Sequence, residues 1–183
     1  MPGIDESLTF IPLNIAVLTV SDTRSMAEDK SGDTLVARLE GAGHTLAARS
    51  IVQDDVEEIR AIVRGWIADK GVDVIISTGG TGFTGRDVTP EAIEPLFEKK
   101  MDGFSAIFHR LSFEKIGTST IQSRATGGVA GATYIFVLPG SPGACKDAWD
   151  GILAQQLDYR HRPCNFVEIM PRLDEHLRRG MAK

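Results

Sequence analysis

The stretch Val74–Ile93, which has the sequence VIISTGGTGFTGRDVTPEAI, decides how the rest of the chain is interpreted. Its apolar start at 74–76 is typical of a buried strand, and its end at 89–91, Thr-Pro-Glu, predicts a helix with Thr89 as the N-cap. Four glycines lie between these elements, namely Gly79, Gly80, Gly82 and Gly85. A glycine-rich loop between a strand and a helix lets backbone N–H groups approach an anion, which the helix dipole also favours. The sequence therefore favours an anion-binding loop over a loop whose glycines only form a turn.

This loop resembles two well-known nucleotide motifs and fits neither. From Gly80 it matches the dinucleotide fingerprint G-x-G-x-x-G, which alone would suggest a nicotinamide dehydrogenase, but residues 86–88 separate its last glycine from the predicted helix. It also matches the start of a P-loop, but Arg86 and Asp87 stand where that motif has Lys and then Ser or Thr. Asp87 would repel a bare phosphate, whereas a Mg²⁺ ion can bind a carboxylate and phosphate oxygens together. The loop therefore predicts a phosphate-bearing ligand with a metal.

Length, charge and cysteine content limit the class of protein. The 183 residues suit a single domain over 1–183, with a core at about 13–170, a short N-terminal arm and a C-terminal tail. A net charge of −5 and a pI of about 5.4 argue against a nucleic-acid partner. Cys145 and Cys164 lack metal-site spacing and suit a reducing cytosol. We expect no signal peptide, no membrane partner and a cytoplasmic location, because no apolar run approaches the roughly 20 residues of a membrane span.

The first half of the chain alternates between predicted strands and helices. Strands are predicted at 13–20, 44–52 and 72–77, and helices at 33–41 and 56–67. This alternation indicates an α/β fold with a mostly parallel sheet covered by helices on both faces. Right-handed crossovers place the carboxyl ends of such strands along one edge of the sheet. We therefore expect Asp22, Asp54 and Asp87 to converge there although they are far apart in the sequence.

The second half predicts further helices and one antiparallel strand. Helices are expected at 90–101, at 104–111 with Phe104, Ile107, Phe108 and Leu111, and from Ser141 onward. The stretch 125–138 predicts two strands about a turn at 130–131, which makes one strand of the sheet antiparallel. A strand is predicted at 166–170, and the basic end that follows it is suited to subunit contacts.

Several polar residues have an ordinary structural explanation beside the functional one. The Ser21–Arg24 turn either lines a ligand site or is only a turn, and Asp54 or Asp55 could simply cap the next helix. The hydroxyl-rich segment 117–124 could contact a heterocycle or phosphate, or form caps and turns. We interpret His109 as a satisfied or surface histidine rather than a catalytic one. Trp66 and Cys145 are interpreted as core residues.

Three motifs in order, GGTG with RDVTPEA, IGTSTIQSRA and LPGSPGA, resemble the MoaB/Mog family of molybdenum-cofactor biosynthesis proteins. The resemblance covers about 13–166, and the segment Arg162–Phe166, RPCNF, resembles the MoaB branch in particular. It implies a three-layer α/β/α fold and homotrimers, with homohexamers in the MoaB branch. It also implies binding of molybdopterin, a pterin dithiolene with a terminal phosphate. Active members adenylylate that phosphate with Mg-ATP and release pyrophosphate.

The resemblance also implies roles for individual residues. Asp54 and Asp87 match the two essential acids and are expected to be catalytic and to bind Mg²⁺. The residues expected to bind the substrates ATP and molybdopterin, from the motifs and the resemblance together, are Ser21, Asp22, Asp29, Ser77, Thr78, Gly79, Gly80, Thr81, Gly82, Arg86, Ser123, Arg124, Pro139, Gly140 and Ser141. Gln53 departs from the Pro that commonly precedes the first acid in active members. A non-catalytic molybdopterin carrier or assembly subunit is therefore the alternative function.

The chemistry of adenylylation agrees with these residue types. Joining a phosphate monoester to the α-phosphorus of ATP requires charge neutralisation more than covalent catalysis. Carboxylate-bound Mg²⁺, backbone amides and arginine can supply it. The sequence shows no convincing Ser-His-Asp or Cys-His arrangement, and the proposed chemistry requires none.

Overall fold

The computed structural model describes residues 3–177 and contains a six-stranded mixed sheet with the strand order β3-β2-β4-β7-β6-β5. The strands of this sheet are β2 (Asn14–Val20), β3 (Thr45–Val52), β4 (Val74–Thr78), β5 (Lys99–Lys100), β6 (Thr126–Ala130) and β7 (Thr133–Leu138). Strands β3, β2, β4 and β7 run parallel, whereas β6 pairs antiparallel with both of its neighbours. The prediction of a mostly parallel sheet with one antiparallel strand is confirmed.

Helices cover both faces of this sheet. They are α1 (Lys30–Gly41), α2 (Val56–Ala68), α3 (Thr89–Ile93), α4 (Asp102–Ile116), α5 (Pro142–Ala148), α6 (Ala154–Gln156) and α7 (Phe166–Ile169), and a π-turn, Trp149–Leu153, joins α5 to α6. One core lies between the sheet and α1, α4 and α5, and a second lies between the sheet and α2 and α3. The three-layer α/β/α architecture expected from the resemblance is therefore present.

The two cores follow from the alternation of side chains along each strand. In β2, Ile15 and Val17 face the α1 side while Ala16 and Leu18 face the α2 side. Both sets are fully buried, which is why the strand is apolar at almost every position rather than at every second one. Trp66 packs against the α2-side core and Cys145 is buried in the α1-side core, as the sequence predicted.

Helix boundaries differ from the predictions where a cap or a proline was misjudged. Helix α1 starts at Lys30 instead of residue 33, because Asp29 caps it by accepting the amide of Gly32. Helix α3 has Val88, not Thr89, as its N-cap, so Thr89 is its first helical residue. The helix predicted to reach residue 101 ends at Ile93 and continues only as a 3₁₀ turn through Pro95, after which the chain forms β5.

One further prediction was wrong. The segment predicted as a strand at 166–170 is helical, because the Asn165 side chain accepts the amide of Glu168 and caps α7.

The N-terminal arm contributes one strand to a small second sheet. Strand β1 (Gly3–Ile4) pairs antiparallel with β8 (His161–Arg162), so the N-terminal arm is ordered. The end of the predicted C-terminal tail, 178–183, lies outside the described residues. Within 3–177, none of the helices has the length and apolar character needed to span a membrane.

Candidate functional site

A cavity of about 560 Å³ opens at the carboxyl ends of the parallel strands. Its walls come from the loops after β2, β3, β4 and β7 and from the hydroxyl-rich segment before β6. They comprise Val20, Ser21, Asp22, Thr23, Arg24, Asp54, Gly79, Gly80, Thr81, Gly82, Thr84, Arg86, Asp87, Gln122, Ser123, Pro139, Gly140 and Ser141. The predicted convergence of Asp22, Asp54 and Asp87 at one edge is therefore observed. Their convergence follows from parallel strand topology, since each acid follows the carboxyl end of a different strand.

The glycine loop after β4 forms the floor of this cavity. Gly79 has φ 101°, and a Cβ atom there would lie 2.2 Å from the carbonyl oxygen of Val20 on β2. Its amide donates to the carbonyl of Leu138 at the end of β7, with an N···O distance of 3.0 Å. The loop thus lies between two strands where only glycine fits, and its backbone stays close to the ligand space.

The next glycine leaves room for two side-chain oxygens. Gly80 has φ 61°, and a Cβ atom there would lie 2.5 Å from Oδ1 of Asp54 and 2.3 Å from Oγ1 of Thr89. Oγ1 of Thr89 is buried and has no hydrogen-bond partner within 3–177. A Cβ atom at Gly82 would likewise lie 2.9 Å from Oδ2 of Asp87. The two predicted catalytic carboxylates therefore lie directly against the glycine loop.

Asp54 and its neighbour Asp55 have different roles at the start of α2. Asp55 is the N-cap, and its carboxylate accepts the amides of Glu57 and Glu58. The Asp54 carboxylate has no hydrogen-bond donor within the described chain. Burial raises the pKa of Asp54 above its ordinary value, and the charges of Asp22 and Asp87 raise it further, while Arg86 opposes them. Asp54 is thus not a helix cap, and a cation would relieve the repulsion around it.

Asp87 has the opposite environment although it lies in the same cavity. Its carboxylate accepts hydrogen bonds from the backbone amide and hydroxyl of Thr84. Partial burial acts to raise its pKa, but these bonds, with a further one from the Gly82 amide, lower the pKa below the ordinary value. Asp87 is therefore held ionised and in a fixed orientation at neutral pH.

An ion pair crosses the mouth of the cavity. Nε of Arg86 lies 2.6 Å from Oδ2 of Asp22, whose other oxygen accepts the amide of Asp54 at 3.2 Å. The bond from Arg86 is the largest cause of the lowered pKa of Asp22. Arg86 is three-quarters exposed, so this pair adds little stability but brings a guanidinium to the site.

Four of the predicted binding residues lie outside the cavity wall. Asp29 is fully buried behind it, with Oδ2 2.8 Å from both Thr19 Oγ1 and an Arg49 nitrogen. Burial acts to raise its pKa, but these partners lower it below the ordinary value. Ser77 and Thr78 are fully buried in β4, and the Thr78 hydroxyl donates to the carbonyl of Pro139. These three residues support the loops and do not contact the cavity in the structure.

Arg124 is the fourth of these residues. Its guanidinium donates to the carbonyl oxygens of Thr81 and Asp87, at 3.0 and 3.1 Å, and forms an ion pair with Glu91. It also lies over the exposed ring of Phe83. Arg124 therefore joins both ends of the glycine loop to α3 from outside the cavity, while its neighbour Ser123 does line the cavity.

The sequence analysis named Arg24 and Gln122 only as parts of the Ser21–Arg24 turn and of the hydroxyl-rich segment, not as binding residues in their own right, yet both belong to the cavity wall. Val20, Thr23 and Thr84 are also wall residues that were not predicted to bind a substrate. Arg24 follows Asp22 by two positions at the carboxyl end of β2, which was the available signal. Gln122 lies within the hydroxyl-rich segment, which was considered for its hydroxyl groups only. Gln53, the departure noted in the sequence, is exposed and not part of the wall.

The other nucleophilic and basic candidates have structural roles. Both ring nitrogens of His109 bond to carbonyl oxygens, those of Ser105 and Ser123. Burial raises the pKa of the Cys145 thiol to about 11, which keeps it protonated at neutral pH. The interpretations of a satisfied histidine and a core cysteine are both confirmed.

The carboxylates of the cavity suit a metal ion that is bound jointly by the protein and a phosphate ligand better than one that is bound by the protein alone. Within 3–177 there is no cluster of three or more His, Cys, Asp or Glu residues that could hold a metal ion. Asp54 and Asp87 offer two carboxylates beside an anion-binding loop. Mg²⁺ is commonly held by one or two carboxylates together with substrate phosphates and water. The residues present therefore fit a Mg²⁺ ion that arrives with a phosphate ligand.

Comparison with known proteins shows the family of the chain. Residues 16–159 match the family model described as a probable molybdopterin binding domain. The chain is 51% identical to molybdenum cofactor biosynthesis protein B of Escherichia coli K12, over 87% of this chain and 94% of that protein. It is 46% identical to the Bacillus subtilis protein of the same name, over 77% and 84% of the two chains.

Solved structures show the same relationship. A crystal structure of a molybdenum cofactor biosynthesis protein B superposes with a TM-score of 0.81 and 36% identity, covering 90% of this chain and 98% of the other. The tungsten cofactor synthesizing protein MoaB of Pyrococcus furiosus gives a TM-score of 0.74 and 32% identity, covering 89% and 98%. The chain belongs to the MoaB/Mog family of molybdenum-cofactor biosynthesis proteins and is most similar to its MoaB branch.

Proposed function

We propose that this protein adenylylates molybdopterin, joining AMP from Mg-ATP to the terminal phosphate of the pterin and releasing pyrophosphate. The observation that carries the proposal is the position of Asp54 and Asp87 against Gly80 and Gly82 in a cavity with the anion-binding loop as its floor. Mg²⁺, when held by these two carboxylates, would neutralise phosphate charge next to the loop.

The charge balance supports a role for the acids with a metal rather than with the pterin. Asp22 is already paired with Arg86, whereas the Asp54 carboxylate meets two like charges and has no donor of its own within the described residues. An anionic ligand alone would increase that repulsion. A ligand that brings Mg²⁺ reverses the sign of the interaction, which is the reason to assign ATP to this end of the cavity.

The reaction itself requires orientation and charge stabilisation. An oxygen of the pterin phosphate attacks the α-phosphorus of ATP, the bond from that phosphorus to the bridging oxygen breaks, and pyrophosphate leaves with the electron pair. A phosphate monoester is already anionic at neutral pH, so no general base has to remove a proton. The backbone of Gly80 and Thr81, the Ser123 side chain and Arg86 are placed to orient the phosphates.

The test is Mg²⁺-dependent release of pyrophosphate from ATP when molybdopterin is supplied. We expect release by the wild-type protein and at least a 100-fold slower release by Asp87→Asn, whose amide cannot replace the anionic metal ligand. Asp87→Asn should bind molybdopterin as tightly as the wild type or slightly more tightly, since it removes a repulsive charge. Wild-type turnover by this variant would contradict the assignment of the metal.

The alternative function, a non-catalytic carrier or assembly subunit, predicts a different result in the same assay. A carrier would bind molybdopterin with no release of pyrophosphate by the wild-type protein. Binding measured alone cannot separate the two functions, since both predict it. Binding without turnover would therefore replace the enzyme by the carrier.

We also propose that the chain, as a single molybdopterin-binding domain, assembles into homotrimers or homohexamers. Helix α4 supports this, because Ile107, Phe113 and Ile116 are each more than 50% exposed on it. Light scattering that shows only a monomer at micromolar concentration would contradict the assembly.

A further inference from the structure

A second cavity, of about 500 Å³, adjoins the candidate site. Thr23 and Arg24 belong to the walls of both cavities, so the two spaces are neighbours across this pair of residues. The rest of the second wall includes Glu28, Lys30 and Pro142. A cavity of the size of the first accommodates one ligand of moderate size. A reaction between two substrates therefore requires adjoining space, and the second cavity supplies it.

Arg24 is held in a fixed orientation between the two cavities. One terminal nitrogen donates to the carbonyl of Gly140 at 3.1 Å, and the other lies 3.4 Å from the Ser31 hydroxyl. That hydroxyl donates to the same Gly140 carbonyl at 3.0 Å. Within 3–177, Arg24 has no carboxylate in ion-pair contact, unlike Arg86. Its charge is therefore available to a ligand, and its remaining N–H groups suit phosphate oxygens.

Lys30 adds a second cation to the same space. It is the first residue of α1, a helix of 12 residues whose dipole also favours an anion there. In the described part of the chain Lys30 has no carboxylate partner. Glu28 is the opposing charge in this wall, and one of its oxygens is already engaged by the amide and hydroxyl of Ser25.

We infer that Arg24 and Lys30 form an anion subsite for the β- and γ-phosphates of the nucleotide and for the pyrophosphate that leaves. The inference rests on the proposed function, in which the bond between the α-phosphorus and the bridging oxygen breaks and the oxygen keeps the electron pair. Arg24, at the boundary of the two cavities, is placed to receive the charge that develops on that oxygen. In this arrangement the acids of the first cavity bind the nucleotide through Mg²⁺, and the cations of the second cavity bind its β- and γ-phosphates.

Calorimetric titration with inorganic pyrophosphate, and separately with AMP, tests this subsite. We expect Arg24→Gln and Lys30→Gln each to weaken pyrophosphate binding about 10-fold, the usual effect of losing one charge-assisted contact, and to leave AMP binding unchanged. Arg24→Lys should recover part of the affinity, because it keeps the charge and loses the planar fork. Glu28→Gln should tighten pyrophosphate binding by about 2-fold, because it removes the opposing charge.

Lys70→Gln, at an exposed lysine far from the cavity wall, is the matched control and should bind pyrophosphate as the wild type does. Melting temperatures show which variants fold. If Arg24→Gln does not fold, Lys30→Gln and Glu28→Gln decide the outcome, since both change exposed side chains. Unchanged pyrophosphate affinity in the folded variants would overturn the subsite.

The failure of the subsite and the failure of the proposed function give different results. Adenylyl transfer by the wild type together with unchanged pyrophosphate affinity in the variants would reject the subsite alone. Pyrophosphate binding that depends on Arg24, without any adenylyl transfer by the wild type, would reject the enzyme and leave the anion subsite standing.

Discussion

Two aspartates at opposite ends of the parallel sheet, Asp73 and Asp54, have opposite environments. At the amino end, Asp73 accepts the amide of Asn14 with Oδ2 at 2.8 Å, and its own amide donates to the Asn14 carbonyl. This carboxylate therefore joins the loop before β4 to the start of β2. At the carboxyl end, the Asp54 carboxylate accepts no hydrogen bond within the described residues, and the charges of Asp22 and Asp87 raise its pKa. The difference shows which end is built for stability and which for a ligand.

Other polar groups follow the same division. At the amino end, His44 is buried and accepts the amide of Leu13 through Nδ1, and burial lowers its pKa so that it stays neutral. At the carboxyl end, the Thr89 hydroxyl is buried without a partner inside 3–177. An unsatisfied hydroxyl and like charges cost stability, so their presence beside the cavity is expected of a site that a ligand completes.

The largest effect on stability is expected for Gly79→Ala. The new Cβ atom would lie 2.2 Å from a backbone oxygen of β2, at φ 101°. Because neither strand can move without breaking the sheet, we expect a loss of about 3 kcal/mol or more in the free energy of unfolding. Urea denaturation measures it. Gly85→Ala, where nothing lies within 4 Å of the added atom, is the control and should be nearly neutral. Equal effects in the two variants would contradict the packing of the loop.

A smaller effect is expected for Arg124→Ala. The sequence predicted that this residue holds the pterin phosphate, so that its loss would leave the melting temperature nearly unchanged. Because the guanidinium instead bonds the carbonyls of Thr81 and Asp87, we now expect a loss of about 1–3 kcal/mol. Thermal melting and pterin titration of the same samples separate the two roles. Weaker pterin binding with an unchanged melting temperature would restore the sequence-based prediction.

The smallest effects are expected for Asp73→Asn and Asp54→Asn, which neutralise one aspartate at each end of the sheet. Asp73→Asn should lower the free energy of unfolding by about 0.5–1.5 kcal/mol, since the acceptor of the Asn14 amide loses its negative charge. Asp54→Asn should raise the melting temperature by about 1–3 °C at pH 7, since it relieves repulsion. The folded-state pKa of Asp54 is raised above its unfolded value, so ionisation costs stability at neutral pH. The advantage of the variant should therefore disappear as the pH falls through that pKa and the wild type protonates.

Thermal denaturation from pH 7 down to pH 4 measures this pair. If Asp54→Asn melts below the wild type at pH 7, or if its advantage grows in acid, then burial and the neighbouring acids do not destabilise the ionised Asp54 side chain.

The sequence predicted the fold and the convergence of the three acids because both depend on regular features. Buried parallel strands are apolar throughout, and their carboxyl ends meet at one edge whatever their separation in the sequence. The termini of elements depended on single contacts that the pattern does not contain. Asp29 caps α1, and Asn165 turns a predicted strand into α7.

Within the site, the sequence identified loops better than side-chain directions. Arg86 and Asp87 are adjacent, yet one crosses to Asp22 and the other folds back on Thr84. Arg124 follows Ser123, yet only Ser123 lines the cavity. Neighbouring residues in a loop point in different directions, and periodicity carries no information about them. Asp29 and Arg124 were therefore predicted to bind a substrate although neither lines the cavity, whereas Arg24 lines it and was named only as part of a turn.

The central claim is that the repulsion around Asp54 serves a cation that arrives with a nucleotide. The most direct test is the melting temperature of the wild type and of Asp54→Asn, each with and without saturating Mg-ATP. Without ligand the variant should melt about 1–3 °C higher. With Mg-ATP the wild type should gain more, because it binds the metal complex more tightly, and the order should reverse. An equal rise in both proteins, with the variant still higher, would contradict the claim.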